Sequence, residues 1–269
     1  MIIGIAGKKG HGKDTVAKII QGFDIWKKNL ALQTEYPLSN TFVRAYVLNR
    51  VNIYVSSWEV KKFANKLKEI VSILTGFKVE DLEKEEIKNT NLFLSYRLLN
   101  KKANTFEVFT SMEDLVERLN HLRTVYLDVY SAEEVNDLFV QETISVTPRL
   151  LLQIIGTDIV RTIHPDIWVN SLMNDYISYA AAISGTSKIK KLYPNWIITD
   201  VRFPNEVKAI KKKDGIVIRI NRESAYNSTH SSETALDDYE DFDYTLDNSN
   251  CIDCLIEKLK EILKHEKII

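Results

Sequence analysis

The first fifteen residues, Met1–Thr15, read MIIGIAGKKGHGKDT, and this stretch decides the fold class. Its first six residues are a short apolar run of β type, and glycines and lysines follow. Apolar residues from Val16 to Ile20 then recur at helical spacing, and Gly22 is predicted to end the helix. The predicted order is therefore strand, glycine loop and helix. We interpret the apolar N-terminal run as this strand and not as a signal peptide.

The loop has the spacing GxxxxGK from Gly7 to Lys13, followed by Asp14 and then Thr15. Glycines let consecutive backbone N–H groups approach a phosphate, and a helix N-terminus adds partial positive charge. A strand before the loop and a helix after it are the context that this motif requires. We therefore expect a nucleoside triphosphate here, with Lys13 reaching the β and γ phosphates. The alternative is a glycine-rich turn that carries an accidental lysine.

Strand-like and helix-like segments alternate along the rest of the chain. This alternation predicts a three-layer α/β/α fold with a mainly parallel sheet and helical insertions. We expect one domain over residues 1–269, with insertions at about 25–57 and 95–145. Ser111 with Asp114 and Ser131 with Glu134 are helix-capping pairs in the second insertion. The other predicted elements are strands at Trp58–Phe63, Trp196–Thr199 and Ile216–Ile220, and helices at Ala64–Leu74, Arg149–Arg161, Ile167–Ile183, Asn205–Lys213 and Ile252–Leu263.

Composition excludes several classes of protein. The chain has 269 residues, 45% of them hydrophobic, which is enough for a sizeable core. A formal net charge of -1 provides no global basic field, so polymeric nucleic acid is not an expected partner. No apolar run approaches the ~20 residues that cross a bilayer. Cys251 and Cys254 lack a second Cys or His pair at metal spacing, and we interpret them as reduced thiols in a cytoplasmic setting.

A second polar group lies at the end of the buried strand run Trp196–Thr199. Asp200 ends this strand and Arg202 comes two residues later, and ligands of α/β sheets gather at the carboxyl ends of strands. Asp200 could hold Mg²⁺ through water beside the phosphates. It could instead anchor Arg202 or cap the next helix.

With these residues in view, the chain resembles the deoxynucleoside monophosphate kinases of large DNA bacteriophages and related viruses, within the P-loop nucleoside monophosphate kinase group. The LLQxxGTD pattern joined to TDVRFxNE is more specific than the glycine loop. The four stretches that carry the resemblance are GKKGHGKDT (Gly7–Thr15), FANKLKE (Phe63–Glu69), PRLLLQIIGTDIVR with PDIW (Pro148–Trp168) and ITDVRFPNE (Ile198–Glu206).

The resemblance implies that Mg-ATP donates its γ-phosphoryl group to a deoxynucleoside 5′-monophosphate. It implies three catalytic residues: Lys9, Lys13 and Arg202. It implies ATP binding by Gly10, Gly12, Lys13, Asp14 and Thr15, and Mg²⁺ binding by Thr15 and Asp200. It implies acceptor binding by Lys9, Lys68, Lys88, Arg149, Gln153, Gly156, Thr157, Trp168, Asp200, Arg202 and Glu206.

Several of these residues have plainer interpretations. Lys68 could be a solvated helix-face charge, Gln153 and Thr157 ordinary surface, and Trp168 a core aromatic. Lys88 stands where the family often has an arginine, and lysine gives less geometric control over a phosphate. His230 and Glu233 match a family stretch near a mobile lid, or belong to a solvated loop.

Two other functions compete with the first one. The chain could be another small-molecule P-loop kinase, resembling dephospho-coenzyme A kinase, or a non-catalytic ATP-binding interaction protein. The resemblance also implies small nucleotides as partners, a possible homodimer, no membrane, and the host cytoplasm if the protein is viral.

Overall fold

A computed structural model describes residues 1–51, 54–127, 129–182, 189–223 and 230–269. The chain divides into two compact units. The first, which we call the sheet unit, comprises Met1–Lys66 and Val160–Ile269, and the second, the middle unit, comprises Leu67–Ile159. That residues 1–269 act as one domain stays a prediction.

The strands of the described residues form three sheets. The largest has five strands in the order β10-β9-β1-β8-β2, and each neighbouring pair in it is parallel. The strands are β1 (Ile2–Ala6), β2 (Trp58–Lys61), β3 (Phe93–Asn100), β4 (Thr105–Phe109), β5 (Phe139–Val146), β6 (Tyr179–Ala182), β7 (Ile189–Leu192), β8 (Asn195–Val201), β9 (Ile216–Asn221) and β10 (Tyr244–Asp247).

Helices connect and cover these strands. A 3₁₀ turn (Asp81–Glu83) and a π-helical segment (Ile154–Ile159) accompany them. The α-helices are α1 (Lys13–Lys28), α2 (Leu30–Glu35), α3 (Ser39–Val47), α4 (Asn65–Thr75), α5 (Glu85–Lys88), α6 (Met112–Tyr126), α7 (Ala132–Leu138), α8 (Pro148–Gln153), α9 (Val160–Ile163), α10 (Ile167–Met173), α11 (Pro204–Lys211), α12 (Ser231–Thr234) and α13 (Ile252–His265).

Helices cover both faces of the parallel sheet. Ile3 and Ile5 of β1 belong to a buried cluster that includes residues of α1, α3 and α13. Gly4 faces the other side, where an added Cβ would lie 2.6 Å from Cδ1 of Ile210 on α11. Because β1 is buried on both faces, its sequence is continuously apolar and does not alternate. The predicted three-layer α/β fold with a mainly parallel sheet is confirmed.

The prediction that Gly22 ends the first helix is wrong. Helix α1 continues through it to Lys28. Gly22 is buried against α3, where its missing side chain leaves room for Val43 and Tyr46: an added Cβ would lie 3.3 Å from Cδ1 of Tyr46. This glycine therefore serves helix packing, which periodicity cannot distinguish from a helix end.

Two predicted helices are also shorter or less regular than expected. Thr147 caps α8 and Pro148 opens it as predicted, but the π-helical segment interrupts the continuous helix predicted for Arg149–Arg161. The helix predicted for Ile167–Ile183 ends at Met173, and Tyr179 lies on a strand of a hairpin instead. Its predicted end, Ile183, lies outside the described residues.

The middle unit contains an antiparallel sheet in the order β4-β3-β5. The predicted insertion at 95–145 therefore contains strands as well as helices. Both predicted caps are present, since Ser111 accepts the N–H of Asp114 and Ser131 forms a capping box with Glu134. Leu98 of the sheet is buried in one cluster with residues of α6 and α7.

Among the described residues, no helix is both long enough and apolar enough to span a membrane. Cys251 and Cys254 are free and exposed, at the start of α13.

Candidate active site

The glycine loop joins β1 to α1, at the carboxyl end of the central strand. The backbone of this loop favours glycine at three positions. Gly7, Gly10 and Gly12 have φ angles of 151°, 84° and 91°, which side chains rarely adopt. A Cβ on Gly7 would lie 2.7 Å from the carbonyl oxygen of Ile220, and one on Gly12 would lie 2.6 Å from Nδ2 of Asn248. The loop is thus shaped by β9 and by the residue after β10 as well as by its own sequence.

His11 and Asn248 hold this loop in place, and sequence analysis did not identify either of them. The His11 ring is buried and its Nδ1 lies 2.9 Å from the carbonyl oxygen of Ile220. The Asn248 amide donates to the His11 carbonyl at 2.9 Å. Together these contacts attach the middle of the loop to the neighbouring strands.

The Lys13 ammonium lies inside the curve of the loop. It donates to the carbonyl oxygens of Gly7 at 2.6 Å and Lys8 at 2.8 Å. Burial and the nearby Arg202 guanidinium lower the pKa of Lys13 to about 8, against the raising effect of Glu233. A phosphate group at this position would favour the charged ammonium again.

Asp14 and Thr15 lie in the first turn of α1. Asp14 is exposed, 4.0 Å from Nζ of Lys62, and Thr15 is half-buried. Asp200 is the penultimate residue of β8, one residue inside the strand that it was predicted to end. Its two carboxylate oxygens accept the N–H groups of Phe63 at 2.8 Å and Ala64 at 2.9 Å.

Glu206 organises the turn between β8 and α11. Its carboxylate accepts the N–H groups of Arg202 at 2.7 Å and Phe203 at 3.1 Å, and it pairs with Arg161. The Arg161 guanidinium also lies 3.7 Å from the centre of the Phe203 ring. Burial raises the pKa of Glu206 to about 7, although Arg161 opposes this effect. The arrangement fixes the backbone of Arg202 beside the loop.

Arg202 connects this turn to α12, and the residues it contacts there were only weakly indicated by the sequence. Its guanidinium donates to the carbonyl of Ser232 at 3.3 Å and pairs with Glu233. Glu233 also accepts the backbone N–H of Lys9 at 3.3 Å. A cavity of about 790 Å³ opens here, with Lys8, His11, Arg202, Arg219, Asn221 and Glu233 among its lining residues.

Trp168 lies on α10 of the sheet unit and is only 6% exposed. This burial agrees with the plainer interpretation of a core aromatic. Its contact with a nucleoside stays a prediction.

The middle unit brings together the three predicted acceptor cations that it contains. Lys68 is buried on α4 and pairs with Glu83. Lys88 on α5 donates to the Glu83 carbonyl at 3.2 Å, and burial lowers its pKa, with Lys68 and Arg149 acting in the same direction. Arg149 donates to Oδ1 of Asn89 at 2.9 Å and pairs with Glu85. Lys68 is therefore not a solvated surface charge.

Gln153, Gly156 and Thr157 lie where α8 passes into the π-helical segment. Gly156 is buried, and an added Cβ would lie 2.5 Å from Cδ2 of Leu67. Gln153 and Thr157 are half-buried.

A glycine loop between the first strand and first helix of a parallel sheet, with an ammonium inside it and arginine at a neighbouring strand end, defines a P-loop nucleotide-binding protein. The chain belongs to the deoxynucleotide monophosphate kinase family, because the sequence model of this family matches residues 1–259. Its members are phosphotransferases that act on deoxynucleoside monophosphates.

Two relatives of this chain carry the name of the same kind of kinase. A protein of Acanthamoeba polyphaga mimivirus named "Putative deoxynucleotide monophosphate kinase" is 29% identical over 126 residues, which cover 46% of this chain and 65% of the viral protein. The "Deoxynucleoside-5'-monophosphate kinase" of Escherichia phage T5 is 21% identical over 252 residues, which cover 88% of this chain and 85% of the phage protein.

Proposed function

We propose that this protein transfers the γ-phosphoryl group of Mg-ATP to a deoxynucleoside 5′-monophosphate and releases the diphosphate. The observation that carries the proposal is the Lys13 ammonium held within the glycine loop, beside Arg202, in a chain of this kinase family. Family membership supports a nucleotide acceptor, and the loop supports a triphosphate donor.

In this proposal the donor phosphates lie along the loop and the first turn of α1. Their oxygens accept backbone N–H groups, and Lys13 neutralises charge near the β and γ phosphates. The donor site consists of Gly10, Gly12, Lys13, Asp14 and Thr15.

The acceptor phosphate is itself an anion, so its binding needs cations more than it needs a general base. The three cations of the middle unit, which lie around residues 83–89, match this requirement. The proposed acceptor residues are Lys9, Lys68, Lys88, Arg149, Gln153, Gly156, Thr157, Trp168, Asp200, Arg202 and Glu206.

Mg²⁺ fits the residues of the sheet unit. Such a site usually combines one or two protein oxygens with phosphates and water, so it needs no large acidic cluster. Thr15 is half-buried in the first turn of α1, and the Asp200 oxygens, each with one N–H contact, keep further lone pairs. Thr15 and, through water, Asp200 would hold the ion, which would neutralise phosphate charge.

The chain's own contribution to the reaction is positioning and charge neutralisation. Lys9, Lys13 and Arg202 would stabilise negative charge on the equatorial oxygens as the phosphoryl group moves. Glu206 fixes the backbone of Arg202 and so keeps its direction. Closure around the substrates would exclude water and prevent plain ATP hydrolysis.

The direct test incubates the pure protein with Mg-ATP and either dephospho-coenzyme A or one of a panel of deoxynucleoside and nucleoside monophosphates, and follows ADP. We expect ADP and the deoxynucleoside diphosphate in equal amounts. Transfer only to the hydroxyl of dephospho-coenzyme A would favour the second kinase class, and ATP binding without ADP would favour a non-catalytic protein. Equal turnover of all ribonucleotides without preference for deoxy acceptors would contradict the proposal.

Lys13→Met provides the matched variant for this test. It removes the ammonium while it keeps most of the side-chain length, so we expect loss of transfer with an unchanged circular dichroism spectrum. Full transfer by this variant would contradict the role of the loop. We also propose that the protein forms a homodimer. Its proposed location is the cytoplasm, which is that of the host if the protein is viral.

A further inference from the structure

The segment His230–Asp237, which we call the acidic segment, lies against the glycine loop. Two of its carboxylates contact groups beside the loop or in it. Glu233 pairs with the Arg202 guanidinium and accepts the Lys9 N–H at 3.3 Å. Asp237 pairs with the Lys8 ammonium at 2.9 Å.

The acidic segment is held in this position by contacts of its own. His230 caps α12, with its Nδ1 2.8 Å from Oγ of Ser232 and 3.2 Å from the Ser232 N–H. Arg219 of β9 donates to the carbonyl of Leu236 at 2.6 Å. The two carboxylates therefore occupy defined positions beside the loop.

The groups that these carboxylates contact are the kind that bind phosphate. A loop N–H, an ammonium and a guanidinium all donate to anionic oxygens. Only 11% of the Glu233 side chain is exposed, so water screens its charge poorly. A phosphate oxygen and a carboxylate oxygen cannot occupy the same position on Arg202 and Lys9, and close like charges repel.

We propose that Glu233 and Asp237 are internal anions that occupy phosphate-binding donors of this site and are exchanged for phosphate oxygens when a triphosphate binds. The exchange keeps the cations neutralised before the ligand arrives. It also lowers affinity, because the ligand must displace two ion pairs. This inference rests on the proposed function, since it takes the ligand to be a nucleoside triphosphate.

The test measures binding of ATP and of inorganic tripolyphosphate by calorimetry, without any acceptor. Glu233→Gln keeps the shape of the side chain and removes its charge, and we expect roughly tenfold tighter binding of both ligands, about 1.4 kcal/mol. Asp237→Asn should tighten binding by a smaller factor, because its ion pair with Lys8 is more exposed.

Asp238→Asn is the matched control. It removes the same charge from the next residue, which is exposed and makes no hydrogen bond or ion pair within the described part of the chain. Its affinity should stay within about twofold of the unmodified protein. A Glu233→Gln protein that binds no more tightly than this control overturns the inference, as does an effect on ATP that tripolyphosphate does not share.

The two proposals fail in different ways. If the unmodified protein binds ATP and transfers phosphate but Glu233→Gln does not tighten binding, only the present inference is wrong. If neither protein binds ATP or tripolyphosphate, both proposals are wrong.

Discussion

At the residue scale, the environment of Lys13 separates this loop from an ordinary glycine turn. Its half-buried ammonium donates to two loop carbonyls, with Arg202 and Glu233 close enough to affect its pKa in opposite directions. A lysine in an accidental turn would extend into solvent, since its charged form is most stable there. The geometry therefore favours the interpretation that Lys13 is positioned to bind an anion.

ATP binding should depend on pH through Lys13. Its pKa of about 8 lies below the ordinary value of 10.5, so the ammonium loses its proton as pH rises through about 8. We expect a constant dissociation constant below this pH and a weakening of at most ~tenfold per pH unit above it. Calorimetry between pH 6 and about 9.5 checks this. Lys13→Arg, which stays charged, should remove the dependence, and an equally steep profile in this variant would contradict the assignment.

Glu206 should make the stability of the protein depend on pH between about 4.5 and 7, which is below the range in which Lys13 loses its proton. Because its pKa rises from 4.5 to about 7 on folding, the folded protein binds more protons than the unfolded chain between these values. Stability from this group is therefore present at low pH and lost as pH rises to about 7, by an amount on the order of 3 kcal/mol. Urea unfolding of the unmodified protein and Glu206→Gln at several pH values should show a flatter profile for the variant. Parallel profiles would contradict this prediction.

At the element scale, the contact between α1 and α3 depends on Gly22. Glycine inside a helix costs up to about 1 kcal/mol relative to alanine, and here it permits close approach of Val43 and Tyr46. Helix α1 also carries Lys13 at its first position, so its packing supports the site.

Replacement of Gly22 tests this packing. Gly22→Ala gains helix propensity but places its Cβ 3.3 Å from Tyr46, so the two effects oppose each other. Gly22→Val adds two methyl groups in the same space and should be less stable than the alanine variant by about 1–3 kcal/mol. The free energy of unfolding in urea measures this difference. Equal stability of the two variants would contradict the prediction that α1 and α3 are closely packed at Gly22.

At the scale of the whole molecule, the loop residues and the three buried or half-buried cations belong to different units of the chain. The proposed donor contacts all belong to the sheet unit, and the cations proposed for the acceptor include Lys68, Lys88 and Arg149 of the middle unit.

Arg149→Ala should therefore raise KM for the deoxynucleoside monophosphate about tenfold or more and leave ATP affinity unchanged, because a charge-assisted contact contributes about 1.5–3 kcal/mol. Steady-state kinetics and ATP calorimetry measure the two effects. Arg118→Ala is the control, since Arg118 forms an exposed ion pair with Glu107 in the same unit. A change in ATP affinity with an unchanged acceptor KM would contradict the assignment of Arg149.

The sequence by itself determined the strand, loop and helix at the N-terminus and the capped helices of the middle unit, because each depends on residues close together in the chain. It also determined the family, because four short stretches carry that resemblance whatever their arrangement in space. Gly22, the π-helical segment and the end of α10 could not be predicted, since their conformations depend on what packs against them. Asn248, Glu233 and Asp237 reach the loop only because β9 and β10 follow β1 in the parallel sheet. Local periodicity cannot predict contacts between residues more than 200 positions apart. Only the tertiary structure therefore decided which anions and amides surround the glycine loop.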